Sequence, residues 1–436
     1  MPRLFVVLVA LLAGAAEAQR GGGRFDRTNS RCAQGRSDRG LACDDGAFLE
    51  FAPISGAGMG AACACAAVTG AKGETLTFTR TGNATCSKQG LATTGINNGD
   101  LVVCTGNLPR VESSGGVLGL RVEGARTNET LRSQEINNVV WATTAAGVAA
   151  PTITADFATA PDGTTTADRM QIPACPTAGV DASGVNQTSA TIASPSSSSV
   201  YLKANAGTPS VSVCMYGITT GTRTCTQFAL NTSTWTRAVV PNVTNTGGMN
   251  MEIACENRTG SYSGATNTGA ADILVWGAQS EAGAYATSYI PTAAGSAARN
   301  AELASFPLVP SSVVSGSMAV SVELLTTATN GLLSATAAGA FRQSILTLGG
   351  SRAYVGGVSL VGPLAALASG GVRRAAMWWD ATSTNLILNG TPTAGAAGTP
   401  AATDRLQIGN YDSTAGTNEP GIYTLICYDP ASSRCR

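Results

Sequence analysis

The sequence predicts an all-β protein: two β-sandwich (jelly-roll) domains in tandem after a cysteine-rich N-terminal segment. Three observations lead there. Charged residues are 12% of the 436, about half the usual share, so the Glu-, Lys- and Arg-rich faces of a helical protein are missing. Small, β-branched and turn-forming residues replace them, 52 glycines included, as short strands joined by many turns require. Apolar residues also recur at every second position rather than at helical spacing.

Residues 1–18 read as a secretory signal. Arg3 supplies the positive region, Leu4 to Leu12 an apolar stretch too short to span a bilayer, and Ala16-Glu17-Ala18 a small-x-small cleavage pattern. An uncleaved anchor is the alternative. Residues 19–75 form a Gly-, Arg- and Cys-rich lead-in with little periodicity. Residues 76–128 form a β-rich segment. Thr75 to Arg80 alternates, Asn97-Asn98-Gly99-Asp100 turns into the apolar Leu101-Val102-Val103, and Gly116 to Glu123 is a further strand.

Residues 129–297 form the first sandwich, with residues 291–300 small and polar like a linker. Val211, Val213 and Met215 face one way, and Ser212, Cys214 and Tyr216 the other; Phe228 and Leu230 continue the apolar face. Asp272 to Trp276 is more continuously apolar, as a central strand is. Residues 298–436 restart the pattern in a second sandwich. Its strands are Met318 to Leu324, Ala375 to Trp379, Asn385 to Leu388 before an Asn-Gly turn, Leu406 to Asn410 and Ile422 to Ile426. Trp276 and Trp378 are expected in the core.

The twelve cysteines are even in number and fit an oxidising compartment. Cys214 and Cys225 flank the turn Thr219-Thr220-Gly221, so a hairpin there sets them opposite each other for a cross-strand bridge. Proximity along the chain suggests Cys86 with Cys104, Cys175 with Cys255, and Cys427 with Cys435. Cys32, Cys43, Cys63 and Cys65 then pair among themselves.

Composition excludes several functions. Lys plus Arg and Asp plus Glu are 27 each, without the basic surplus of a duplex nucleic-acid binder or an anionic-membrane binder. No later run is long and apolar enough to insert in a membrane. The chain has no histidine, so no Ser-His-Asp or Cys-His nucleophile system and no imidazole-dependent zinc or iron site exists. The acids sit mostly at turns, as in Asp162-Gly163, instead of forming a recognisable glycosidase pair.

Three stretches resemble a known module. They are Thr77-Phe78-Thr79-Arg80 with Asn83-Ala84-Thr85, then Leu118-Gly119-Leu120-Arg121-Val122-Glu123-Gly124-Ala125-Arg126-Thr127-Asn128, then Ala160 to Asp168. Trp276-Gly277-Ala278-Gln279-Ser280-Glu281 and Ala286-Thr287-Ser288-Tyr289-Ile290-Pro291-Thr292 complete the pattern. Over about residues 76–302 the chain resembles a carbohydrate-binding-module-like jelly roll of phage tail and tail-fibre proteins. Residues 303–436 are similar to concanavalin A-like or laminin-G-like sandwiches, on Val372 to Asp380, Asn385 to Gly390 and Leu406 to Asn410. Cysteines and a signal segment depart from the phage pattern and favour an exported protein over a virion component.

These resemblances imply a non-enzymatic, secreted or cell-surface protein that binds polysaccharide or makes adhesive contacts. The alternative is a tail-fibre or surface structural subunit, including a homo-oligomer. Aromatic rings on a sheet face cover the apolar face of a pyranose. Tyr201 and Tyr216, on the non-core faces of their strands, are the candidate stacking platform; ordinary packing or surface tyrosines are the other reading. Calcium is the one cofactor with candidates, because laminin-G-like folds often hold one: Asp380, Asp404 and Asp412.

Overall fold

The protein is seen here in a computed structural model. It describes residues 49–51, 63–65, 67–68, 74–114, 117–189, 192–219, 221, 223–244, 247–258, 262–264, 268–308, 315–325, 331–337, 340–346, 350–369, 371–410 and 420–429. The signal at 1–18, Cys32, Cys43, Asp412 and Cys435 lie outside the described residues, as does the Cys427 side chain.

Every regular element described is a strand. The central body is a sandwich of two six-stranded sheets. The first runs Ala142–Ala146, Ala182–Ser189, Met249–Glu256, Ser210–Gly217, Arg223–Ala229 and Tyr262–Gly264 in spatial order. The second runs Thr152–Ala158, Ala167–Ile172, Ala271–Ala282, Ser196–Ala204, Trp235–Val243 and Thr94–Ile96. Between them lie Val211, Val213, Met215, Val200, Leu202, Ile273 and Val275, each the inward half of an alternating strand.

The run Ile273 to Trp276 is apolar throughout for a visible reason. Ile273 and Val275 enter the sandwich core, while Leu274 and Trp276 enter a second apolar layer on the outer side of the same sheet, with Tyr201, Trp235 and Tyr289. The strand is buried on both faces.

The other body is a nine-stranded sheet facing a seven-stranded one. Strands from before and after the central sandwich share both. Arg110–Ser114 and Val117–Val122 join Gly421–Asp429 and Gly316–Leu324 in the larger sheet, and Thr77–Thr79 joins Leu303–Pro307 in the smaller. Phe78, Val111, Leu120 and Val122 therefore share a core with Phe306, Val320, Met377, Trp379 and Ile426. The chain enters and leaves the central sandwich side by side, Arg126–Asn128 pairing antiparallel with Ala297–Arg299. In Val372–Trp379 it is Met377 and Trp379 that face this core. Trp378, expected there, falls on the opposite face by strict alternation and is only half-buried.

Four disulfides are present among the described residues. Cys214 and Cys225 are directly opposite in register, with Cα atoms 4.0 Å apart. Cys175 joins Cys255. Cys86 and Cys104 do not join each other. In their hairpin Ala84 is opposite Cys104 and Cys86 opposite Val102, a diagonal of about 7–8 Å that a disulfide does not span. The Cys63–Cys65 strand lies over the hairpin and binds both, as Cys63–Cys86 and Cys65–Cys104. The bridges accord with an oxidising compartment. No described helix is long and apolar enough to cross a membrane.

Candidate functional site

Tyr201 and Tyr216 are held on different sheets, so they form no common platform. Tyr201 does point away from the sandwich core. That outer face carries a second apolar layer, however, with Leu101, Trp276 and Tyr289, and Tyr201 is 3% exposed. Its ring meets Trp276 edge-on at 5.7 Å and Tyr289 at 6.2 Å between centroids. Alternation fixed its direction correctly; only the tertiary fold shows what covers it.

Several residues of the resembling stretches, Arg80, Arg121, Glu123, Asn128, Gln279 and Glu281, converge on the seam where the chain passes between the two sandwiches. The Arg110 guanidinium is bidentate on Glu302, at 2.9 and 2.6 Å, and also donates to Glu123 at 2.9 Å. Arg80 adds a bond of 2.7 Å to Glu302. Arg121 bridges Glu112 at 2.9 Å and Glu123 at 2.5 Å, and Arg299 reaches Glu123 at 2.7 Å. All seven side chains are at most 4% exposed. Next to them, Glu281 accepts from Thr287 N and Oγ1 and from Gln279 Nε2, and Asn128 Nδ2 donates to the carbonyls of Ala278 and Ile290.

Burial and the neighbouring arginines act in opposite directions on Glu112 and Glu123. For Glu123, Arg121, Arg299 and Arg110 together overcome burial and hold it well below the usual range. For Glu112, burial outweighs Arg121 and Arg110, and its carboxyl is raised. Charges so deep persist only when paired and hydrogen-bonded. Arg121, Glu123, Asn128, Gln279 and Glu281 thus hold the architecture together.

The open polar surface is the outer face of the first sheet. The β register lines up Thr188, Asn250, Tyr216 and Arg223 across four adjacent strands. One row further lie Asn186, Glu252 and the Cys214–Cys225 bridge. Asn250 Nδ2 donates to Asn186 Oδ1 and to Thr188 Oγ1, both at 3.0 Å. Thr144 Oγ1 donates to Glu252 at 2.7 Å. The Arg258 guanidinium spans Glu252 and Glu256; against the pull of burial, Glu256 and Glu252 hold it more firmly protonated than usual. The Arg223 Cζ stands 4.8 Å over the Tyr216 ring centre. Of this set the sequence reading had only Tyr216 and the two cysteines. The signal for the rest was the bridge itself: once Cys214 is opposite Cys225, Tyr216 must be opposite Arg223.

Cys214, Glu252 and Glu256 are close enough together to hold a metal. The sulfur is spent in the disulfide, however, and both carboxylates are bound by Arg258, so this donor set does not fit a cation. Among the calcium candidates, Asp380 accepts from Thr382 N and Oγ1 and Ser383 N in a hairpin turn, which lowers its pKa, and Asp404 lies 3.4 Å from Arg405.

Fold and site define a disulfide-bonded all-β sandwich protein with one open, polar sheet face. No family model and no curated protein matches the chain. Among solved structures it is similar to the full extracellular region of zebrafish Gpr126/Adgrg6, at 12% identity and TM-score 0.21, over 59% of this chain. The chain spans about a third of that region's length, 34%. It is also similar to the N-terminal CBM22-1-CBM22-2 tandem domain of Paenibacillus barcinonensis Xyn10C, at 9% identity and TM-score 0.25, covering 71% of this chain and 99% of that one. Likeness this distant speaks to neither ligand nor activity.

Proposed function

We propose that this is a non-catalytic protein that binds extracellular or cell-surface polysaccharide on the outer face of its first sheet. The supporting observation is the row Thr188, Asn250, Tyr216 and Arg223, which sets hydroxyl, amide, ring and guanidinium side by side about 4.8 Å apart. Amides and hydroxyls match sugar hydroxyls, and a ring beside them supplies the apolar contact. Retention of the full chain on insoluble polysaccharides, with Tyr216→Ala and Asn250→Ala for comparison, is the test. Retention lost in both folded variants supports the proposal; retention on no polysaccharide, or unchanged retention in both, rejects it.

One observation favours a second reading, a structural or adhesive subunit. Asp168 accepts from the backbone of both Asn137 and Asp156. This gathers Val139, 96% exposed, and Phe157, 44% exposed, near one edge of the second sheet. A stable oligomer by light scattering that Val139→Asp dissolves would favour that reading.

A further inference from the structure

A cavity of about 360 Å³ lies between the two bodies, on the opposite side of the central sandwich from the open face. That volume is at the small end of sites that take small molecules. Two of its lining residues, Tyr201 and Arg237, are direct cross-strand partners in Ser196–Ala204 and Trp235–Val243. The Tyr201 side chain is 3% exposed, and its hydroxyl makes no hydrogen bond among the described residues, which leaves it open to the cavity it lines. Arg237 stands 5.5 Å over the Tyr201 ring. Its Nη2 donates to Ser199 Oγ at 2.9 Å and to the Thr287 carbonyl at 2.6 Å, but no carboxylate among the described residues neutralises it.

The other lining charges are disposed differently. Arg121 is already paired with Glu112. Glu323, the other lining carboxylate, comes from the other body. Leu91, Pro241, Leu324 and Tyr285 supply apolar wall. The cavity therefore offers one phenol donor and one unneutralised guanidinium from adjacent strands, beside apolar wall. Two adjacent donors, one of them charged, suit an oxyanion better than a neutral hydroxyl.

We propose that this cavity binds the carboxylate of a single-ring small molecule, through the Tyr201 hydroxyl and the Arg237 guanidinium. The site is separate from the open sheet face and stands whether or not that face holds polysaccharide. Two sources present this chemistry, a sugar acid and an aromatic acid.

The test is calorimetric titration of the full chain with D-glucuronate, benzoate and D-glucose. Glucuronate or benzoate should bind at least tenfold more tightly than glucose, and the tighter of the two identifies the source. Tyr201→Phe, which removes only the hydroxyl, should weaken the acid about tenfold. Arg237→Gln should erase the preference for acid over glucose. Ala286→Phe narrows the cavity without touching either donor and should block binding in a chain with unchanged circular dichroism and melting. Tyr216→Ala should leave acid binding intact. Equal binding of glucose and glucuronate, no binding of any probe at millimolar concentration, or full binding in both Tyr201→Phe and Ala286→Phe would overturn the proposal.

Discussion

Two clusters of arginine–glutamate pairs among the described residues differ in their consequences. At the seam, Arg80, Arg110, Arg121 and Arg299 meet Glu112, Glu123 and Glu302, all sealed between two sandwiches. On the open face, Arg223 and Arg258 meet the buried carboxylates of Glu252 and Glu256, but both guanidiniums reach solvent, at 19% and 21% exposed. The chemistry is the same and the dielectric is not. A sealed pair cannot be half removed, because the remaining charge has nowhere to go; a pair at the edge of solvent can be, because water takes the missing partner's place.

The comparison is tested first where the effect is largest. Arg110→Ala should cost about 3–5 kcal/mol in urea unfolding, since Glu302 and Glu123 lose their shared partner. A cost under about 1 kcal/mol would mean the seam is wetter than its burial says. Cys175→Ser/Cys255→Ser, which opens a bridge spanning 80 residues, should cost about 2–4 kcal/mol in urea unfolding.

The pH dependence sharpens the comparison further. The folded-state pKa of Glu123 is lowered below the ordinary 4.5, so its stabilisation is complete above the unfolded value and disappears as pH falls through the folded one. The stability gap between the native chain and Glu123→Gln should therefore be full at neutral pH and close only below about 4.5. A gap that closes above pH 6 would contradict the assignment. At the small end, Arg258→Ala should cost less than Arg110→Ala, because Arg223 still faces Glu252 and Glu256 and water reaches the vacated position, and Tyr216→Ala should cost about 0.5 kcal/mol or less, while polysaccharide retention is lost.

Part of this was legible in the amino-acid order. Alternation at Val211, Val213 and Met215, and the unbroken apolar run from Ile273 to Trp276, announced strands and even a central one. A two-residue period is a local property that needs no knowledge of partners. Legibility failed where a partner comes from far along the chain. Cys86 and Cys104 are near in sequence but diagonal in their hairpin, so each was claimed by the Cys63–Cys65 strand. Tyr201 pointed outward as alternation required, but into an apolar layer with Leu101 and Tyr289. Trp378 was one residue out of register with the core that Trp379 fills.

The sequence by itself determined that this chain is all-β, histidine-free and rich in cysteine. Composition and period-two patterning act through neighbours one and two residues apart. Only the tertiary structure decided that strands before and after the central sandwich share one core, and that Arg121 and Arg110 are sealed while Arg223 and Arg258 reach solvent. Burial depends on what packs above a side chain, and here that comes from up to about two hundred residues away, as Arg80 with Glu302, 222 apart, shows.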